Sequence, residues 1–319
     1  MAGPGGVSRE TSTTPTFSTA ASIAAGIADG TDDFADTPIA RETHALLRGR
    51  AAVTAGNWPR PERPRVLVVA NQKGGVGKTT TTVNLAASLA LNNLRVLVVD
   101  LDPQGNASTA LGVEHRTGTT SVYDALLGDT SLLDMVQPAS DISRLWCVPA
   151  TIDLAGAEIE LVPVVSRESR LKRALADVID KGEYDYIFVD CPPSLGLLTV
   201  NALVASGEVL IPIQCEYYAL EGLGQLLHNI DLVKAHLNPS LSVSTILLTM
   251  YDARTRLSAQ VADEVRGHFG DSVLSTVVPR SVRISEAPSY AQTVMTYDPS
   301  STGALSYLEA AREIAVRTS

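Results

Sequence analysis

The stretch Lys73-Gly74-Gly75-Val76-Gly77-Lys78-Thr79-Thr80 constrains this chain more than any other. It follows an apolar run, Val66-Leu67-Val68-Val69-Ala70, that reads as a buried strand, and it opens a helical pattern ending near Leu91. Glycines let the backbone curl so that N–H groups converge, and the N-terminus of the following helix adds partial positive charge. Strand, turn and helix together make a phosphate cradle. In such a cradle Lys78 reaches the β- and γ-phosphates of a nucleotide, and the Thr79 hydroxyl ligates magnesium. Gln72 stands where the common form of this loop has its first glycine, and an additional lysine, Lys73, opens it.

From Arg65 onward strand and helix signals alternate. Strands are expected at 65–70, 95–100, 145–149, 184–190, 208–212, 243–250 and 273–278. Short apolar runs between helical patterns fit strands buried on both faces of a parallel sheet. The clearest helix spans 167–181, where Leu171, Ala174, Leu175, Val178 and Ile179 share one face. The expected fold is therefore α/β, a doubly wound, mostly parallel sheet flanked by helices, with its ligand at the carboxyl ends of the strands. Residues 65–319 form this domain. Residues 1–64 are rich in Ala, Gly, Ser, Thr and Pro and cannot bury enough apolar area to offset their ordering entropy. They are expected to form a disordered or weakly structured tail, either a partner-binding arm or a passive linker, with at most a short helix over 40–55.

The 319 residues carry 45% apolar side chains without an uninterrupted apolar run of transmembrane length, and no charged segment followed by an apolar one opens the chain. Cys147, Cys191 and Cys215 lie far apart beside apolar residues, which predicts buried thiols in a reducing compartment. A net charge of −10 argues against nucleic-acid binding by bulk charge, so contact with DNA requires a local patch. Between Met250 and Tyr290, arginines 254, 256, 266, 280 and 283 are equalled by acids 252, 263, 264, 271 and 286.

Two more strand ends carry acids. Val96–Val99 runs into Asp100-Leu101-Asp102-Pro103-Gln104-Gly105-Asn106, and Tyr186–Val189 runs into Asp190-Cys191-Pro192-Pro193-Ser194-Leu195-Gly196. Acids at strand carboxyl ends beside a phosphate loop stand where a magnesium shell or a water-orienting group is needed. With the lysine-opened loop, the stretches 100–108, 150–161, 190–196, 214–222 and 279–289 make the chain resemble the ParA/Soj family of partitioning ATPases, of the chromosomal, actinobacterial type. These are P-loop NTPases of the deviant Walker A group, which also holds MinD and the nitrogenase iron protein. The resemblance spans roughly residues 65–317.

It implies a slow, partner-stimulated ATPase with ATP and Mg2+ as cofactors. Lys73 would reach across a homodimer to the partner's phosphates, while Gly74, Gly75, Val76, Gly77, Lys78, Thr79 and Thr80 cradle the triphosphate. Thr79 would ligate the metal, with Asp100 and Asp190 supporting its shell, and Asp102 would position the attacking water. Pro279 and Ser281 would border the adenine, Ser281 standing where many relatives have Asn. Segments 102–108 and 191–196 would sense the γ-phosphate. Arg254 and Arg283 would contact DNA phosphates without reading sequence. The implied partners are a second copy of the chain, double-stranded DNA, a ParB-like centromere-binding protein and a polar or septal scaffold protein. The implied location is the cytoplasm, on the nucleoid.

Three other readings compete. A membrane-associated, MinD-like positioning ATPase needs a C-terminal amphipathic helix with bulky apolar and basic faces. Residues 306–319 are short of bulky apolar side chains and carry Glu309 and Glu313, which predicts a helix docked on the domain. An iron–sulfur reductase needs properly placed cysteines; Cys191 lies in the segment 191–196, but the second cysteine required per subunit does not appear at a plausible place. A metabolic kinase needs an acceptor pocket that no motif suggests.

Overall fold

A computed structural model describes residues 1, 58–128, 130–216 and 223–317. The expected tail up to residue 57, with its short helix over 40–55, lies outside them. All described elements belong to one unit, Val53–Ser319. Its sheet is built from β1 (Arg65–Val69), β2 (Val96–Asp100), β3 (Gln137–Pro138), β4 (Leu145–Val148), β5 (Tyr186–Asp190), β6 (Glu208–Gln214), β7 (Ser242–Tyr251) and β8 (Val273–Pro279). Their order is β3-β4-β2-β5-β1-β6-β7-β8, parallel throughout except that β3 runs antiparallel to β4. The seven expected strands are all present. The two-residue β3 has no alternation to announce it, and Pro138 confines it to the edge.

The apolar runs read as strands buried on both faces, and they are. Val66, Val68 and Ala70 point into one core layer, Leu67 and Val69 into the other. The second layer is closed by α1 (Lys78–Leu91) and by α11 (Thr302–Val316), which pack against each other, and α11 also covers β8. Tyr307, Leu308, Ala310, Ala311, Ile314 and Ala315 are buried, so the C-terminal helix docks its apolar side on the domain. Trp58 is buried in the same layer, and Arg60 donates to the Asn93 carbonyl at 3.2 Å, so residues just before β1 lie against the domain.

The remaining helices are α2 (Asn106–Ala110), α3 (Val122–Leu127), α4 (Leu154–Glu160), α5 (Arg170–Lys181), α6 (Leu197–Ala205), α7 (Leu223–His236), α8 (Arg256–Phe269), α9 (Val282–Glu286) and α10 (Val294–Tyr297). The helix expected from 167 begins at Arg170, after a 3-10 turn over Arg167–Ser169. Asn201 explains the shift. Its amide nitrogen donates to the Arg167 carbonyl (2.9 Å) and its oxygen accepts from the Leu171 amide (3.1 Å). Those two groups would otherwise form the first α-helical hydrogen bond.

Candidate functional site: a phosphate loop facing two buried carboxylates

Residues 70–77 join β1 to α1. Gly75 (φ +74°) and Gly77 (φ +88°) take the left-handed conformation that the tight turn demands and that side chains resist. The loop is pinned from two neighbouring strands. Asn71 donates to the Pro212 carbonyl (2.8 Å) and accepts from the Lys73 amide (3.0 Å), and the Thr249 hydroxyl donates to the Val76 carbonyl (2.9 Å). Val76 is buried, whereas Gly74 and Gly75 are exposed, and a Cβ added at Gly74 would meet nothing within 4 Å. The rim of the loop is thus open to whatever faces it.

Lys78 is buried, and its Nζ donates to the Lys73 carbonyl at 3.2 Å. Burial pushes its pKa down, while Asp190, Cys191 and Asp102 pull it back up. Thr79 and Thr80 occupy the first turn of α1, with both side chains partly accessible.

Strand register sets the carboxylates. Asp100 pairs with Asp190 across β2 and β5, and Asp190 pairs on its other side with Val69, where β1 hands over to the loop. Both acids are fully buried, yet their surroundings differ. Asp100 is satisfied locally: its Oδ2 accepts from the Ser108 amide (2.8 Å) and hydroxyl (2.7 Å), and its Oδ1 from the Asp102 amide (3.2 Å). Asp190 Oδ1 accepts from the Thr82 hydroxyl (3.0 Å), but its Oδ2 is buried without a partner. Burial first, then the neighbouring Asp100 charge, pushes Asp190 up to about 8; burial raises Asp100 to about 6. An orphaned buried oxygen beside a threonine at the end of a phosphate loop suits a divalent cation. Asp102 is buried in a turn, where its Oδ1 accepts from the Gln104 amide at 3.0 Å.

Pro279 and Ser281 line a cavity of about 180 Å³ together with Gly77, Thr80, Ile284 and Tyr307. It adjoins the phosphate loop and is the right kind of slot for a flat ring. Lys73, Lys78, Thr79, Asp100, Asp102, Asp190, Pro279 and Ser281 therefore all stand at or just beyond the carboxyl ends of the parallel strands. The three cysteines are free and buried, as their apolar neighbours predicted.

Arg254 and Arg283 are outside this cluster. The Arg254 side chain is 88% exposed, and its Nε and Nη2 both bond Asp252, at 2.9 and 2.8 Å. Arg283 Nη1 donates to Glu286 (3.2 Å), and its Nε lies 3.5 Å from Asp298. Even Arg280 is paired, with Glu216 at 2.9 Å. Each of these three arginines carries its own carboxylate.

A protein-family profile described as an AAA domain matches residues 64–243. The chain is 57% identical over 251 residues to the sporulation initiation inhibitor protein Soj of Bacillus subtilis, across 79% of this chain and 98% of that protein. It is 52% identical over 274 residues to the chromosome partitioning protein ParA of Myxococcus xanthus, across 86% and 96%. The chain belongs to the ParA/Soj family. Among solved structures, cobyrinic acid a,c-diamide synthase from Mycobacterium smegmatis, with bound ATP analog and magnesium, is 40% identical. That match covers 78% of this chain and 93% of the other, with a TM-score of 0.67.

Several residues that hold this ParA/Soj-family site together escaped the sequence reading. Asn71 and Thr249 pin the loop, Thr82 bonds Asp190, and Ser108 saturates Asp100. Ser108 lies in a stretch already noted, and Thr82 lies one turn beyond the P-loop, so both were within reach of a helical-spacing argument. Thr249 was not, because its partner is 173 residues away.

Proposed function

We propose that this ParA/Soj-family protein is an ATP-dependent switch for chromosome segregation. The observation that carries this reading is the buried, partnerless Asp190 oxygen set in register with Asp100 beside Lys78 and Thr79. The residues fit ATP and Mg2+: glycine-shaped amides for phosphate, a buried lysine, a threonine–carboxylate pair for the cation and a slot for a ring. When bound, the nucleotide supplies the phosphoanhydride to be hydrolysed and the cation neutralises its charge.

The chain's own groups divide the remaining work. Amides of 74–80 and the Lys78 ammonium hold the phosphates. Thr79 and Asp190 hold the metal, with Asp100 behind them, and Asp102 orients water at the loop. Segments 102–108 and 191–196 hang directly from the two strand-end acids, which places them to respond to the nucleotide's state. Lys73 and the open flank at Gly74 suit an ATP-dependent sandwich homodimer in which Lys73 serves the second site. The exposed Ile152, just before α4, and Ile159, in its last turn, offer apolar surface for such a seam.

In this reading the dimer binds double-stranded DNA non-specifically through Arg254 and Arg283, and a ParB-like partner stimulates an otherwise slow hydrolysis. A polar or septal scaffold protein is a further partner, and the protein works in the cytoplasm on the nucleoid. No helix among the described residues is long and apolar enough to cross a membrane. The docked α11 leaves the MinD-like reading without a free amphipathic helix among them.

The test is fluorescence anisotropy of random-sequence duplex DNA over a salt series, with ATP, ADP or neither. ATP-dependent binding that weakens steeply with salt supports the switch. Nucleotide binding without DNA binding in any state would leave a nucleotide switch whose cargo is not DNA.

A further inference from the structure

Glu158 projects from α4 toward the start of α6, and its Oε1 accepts the Leu198 amide at 3.3 Å. Leu198 is the second residue of that helix, where backbone N–H groups lack intrahelical partners. Helix α6 has no cap of its own. Gly196 at its N-cap offers no side chain, and its first turn holds no acid. Glu158 supplies from another helix both the acceptor and the negative charge that this end favours.

Gly196 adds an independent observation. Its φ of −76° and ψ of −171° are extended backbone that any residue adopts, so conformation does not call for glycine. Space does. A Cβ at 196 would collide with the Glu158 carboxylate, whose Oε1, Cδ and Oε2 are the three atoms nearest to that position. The glycine keeps the seat in which the carboxylate sits.

What is seated there is one end of the segment 191–196, whose other end is Asp190. Thr199 closes the segment by donating to the Ser194 carbonyl at 2.7 Å. We infer that Glu158 is a positioning residue for ATP hydrolysis: it latches the 191–196 segment to α4 through the α6 N-terminus, and Gly196 is the socket of that latch. The inference rests on the ATPase reading above for its kinetic consequence, but not for its structural one. With the latch open, the segment hanging from Asp190 samples more conformations, and the loss falls on the chemical step rather than on nucleotide capture.

The experiment uses full-length wild type, Glu158→Ala, Glu158→Gln, Gly196→Ala and the Glu158→Ala/Gly196→Ala double variant. Hydrogen exchange of residues 191–199 is followed in nucleotide-free protein, beside kcat and KM for ATP. Glu158→Ala and Gly196→Ala are expected each to speed exchange in that segment about tenfold and to lower kcat about fivefold. KM and Tm stay close to wild type. The double variant is no worse than either single, because both remove one contact. Glu158→Gln, which keeps the acceptor, stays near wild type in exchange. Unchanged exchange in both singles, or losses that add in the double, would overturn the latch. A wild type that binds ATP without hydrolysing it would sink the ATPase reading, and the exchange data would still decide the latch.

Discussion

Lys78 and Arg254 are both cations assigned to phosphate, and the chain holds them in opposite ways. Lys78 is buried, its ammonium is directed at the loop's own carbonyl, and the neighbouring carboxyl groups favour its charge from a distance. Arg254 is almost fully exposed and already clasped by Asp252 through two hydrogen bonds. Arg283 repeats the pattern with Glu286 and Asp298. At the loop the cost of desolvating the cation is met when the chain folds, so an arriving phosphate gains a strong, geometrically fixed contact. At the arginine surface an arriving phosphate must displace a carboxylate, so each contact is weak, screened by salt and easily reversed. A switch that must hold nucleotide firmly and release DNA readily needs that contrast.

The contrast breaks most visibly at Lys78. Lys78→Ala is expected to weaken ATP binding about 100-fold, about 2.7 kcal/mol, as read by titration calorimetry. Fold is retained in circular dichroism, because the lost ammonium bonds only one carbonyl. A variant that bound ATP with wild-type affinity would remove the loop from the site.

A second test uses the two carboxylates. Asp190 stands at about 8 in the folded chain, against an ordinary value of 3.8. The folded state therefore binds the extra proton, and this contribution to stability is complete below pH 4 and lost as the pH climbs toward 8. In nucleotide-free, metal-free protein, Asp190→Asn should match wild type in Tm at or below about pH 4 and exceed it by a gap that opens above that pH and widens up to pH 8. The widening gap is the signature, and magnesium with nucleotide should close it for wild type. Parallel Tm curves across that range would mean that Asp190 is ionised without cost.

The arginine surface gives the smaller, opposed pair of effects. Arg254→Ala/Arg283→Ala should cut DNA affinity about tenfold at low salt and flatten the slope of log K against log[salt] by about 1.8, roughly 0.9 per lost phosphate contact. Asp252→Asn frees Arg254 and should tighten DNA binding about threefold. Anisotropy measures both. If the acid-free variant bound DNA no better, Arg254 would not be facing it.

These same regions explain what could be read before the fold was known. The loop, its strand and its helix are contiguous, so glycine spacing and apolar periodicity carry them, and the expected strands fall within a few residues of those found. The strand-end acids were legible because a parallel sheet aligns its carboxyl ends. The difference between Asp100 and Asp190 was not legible, since it depends on Ser108 folding back onto one of them only. The arginine pairs were half visible. Asp252 and Glu286 sit two and three residues from their partners, whereas Asp298 reaches Arg283 only through the packing of α9 against α10. Asn201, which delays the start of α5, acts across 30 residues and leaves no local mark.

The smallest expected effect concerns the pin that no local pattern announces. Thr249, at the far end of β7, donates to the Val76 carbonyl from a buried position, holding the loop's inner face against the sheet. Thr249→Val keeps the shape and removes the donor, leaving a buried carbonyl unpaired at a cost of about 1–2 kcal/mol. For a domain of this size that lowers Tm by about 2–6 °C. Because Val76 lies between the two left-handed glycines, part of the cost should reach the phosphate site and weaken ATP binding severalfold, with the DNA salt slope unchanged. A Tm loss without any change in ATP affinity would show that Asn71 alone holds the loop in its binding shape. The reverse, weaker ATP binding at unchanged Tm, would mean that the pin tightens only around nucleotide. In either case the effect stays on the buried side of the molecule's division between fixed and displaceable cations.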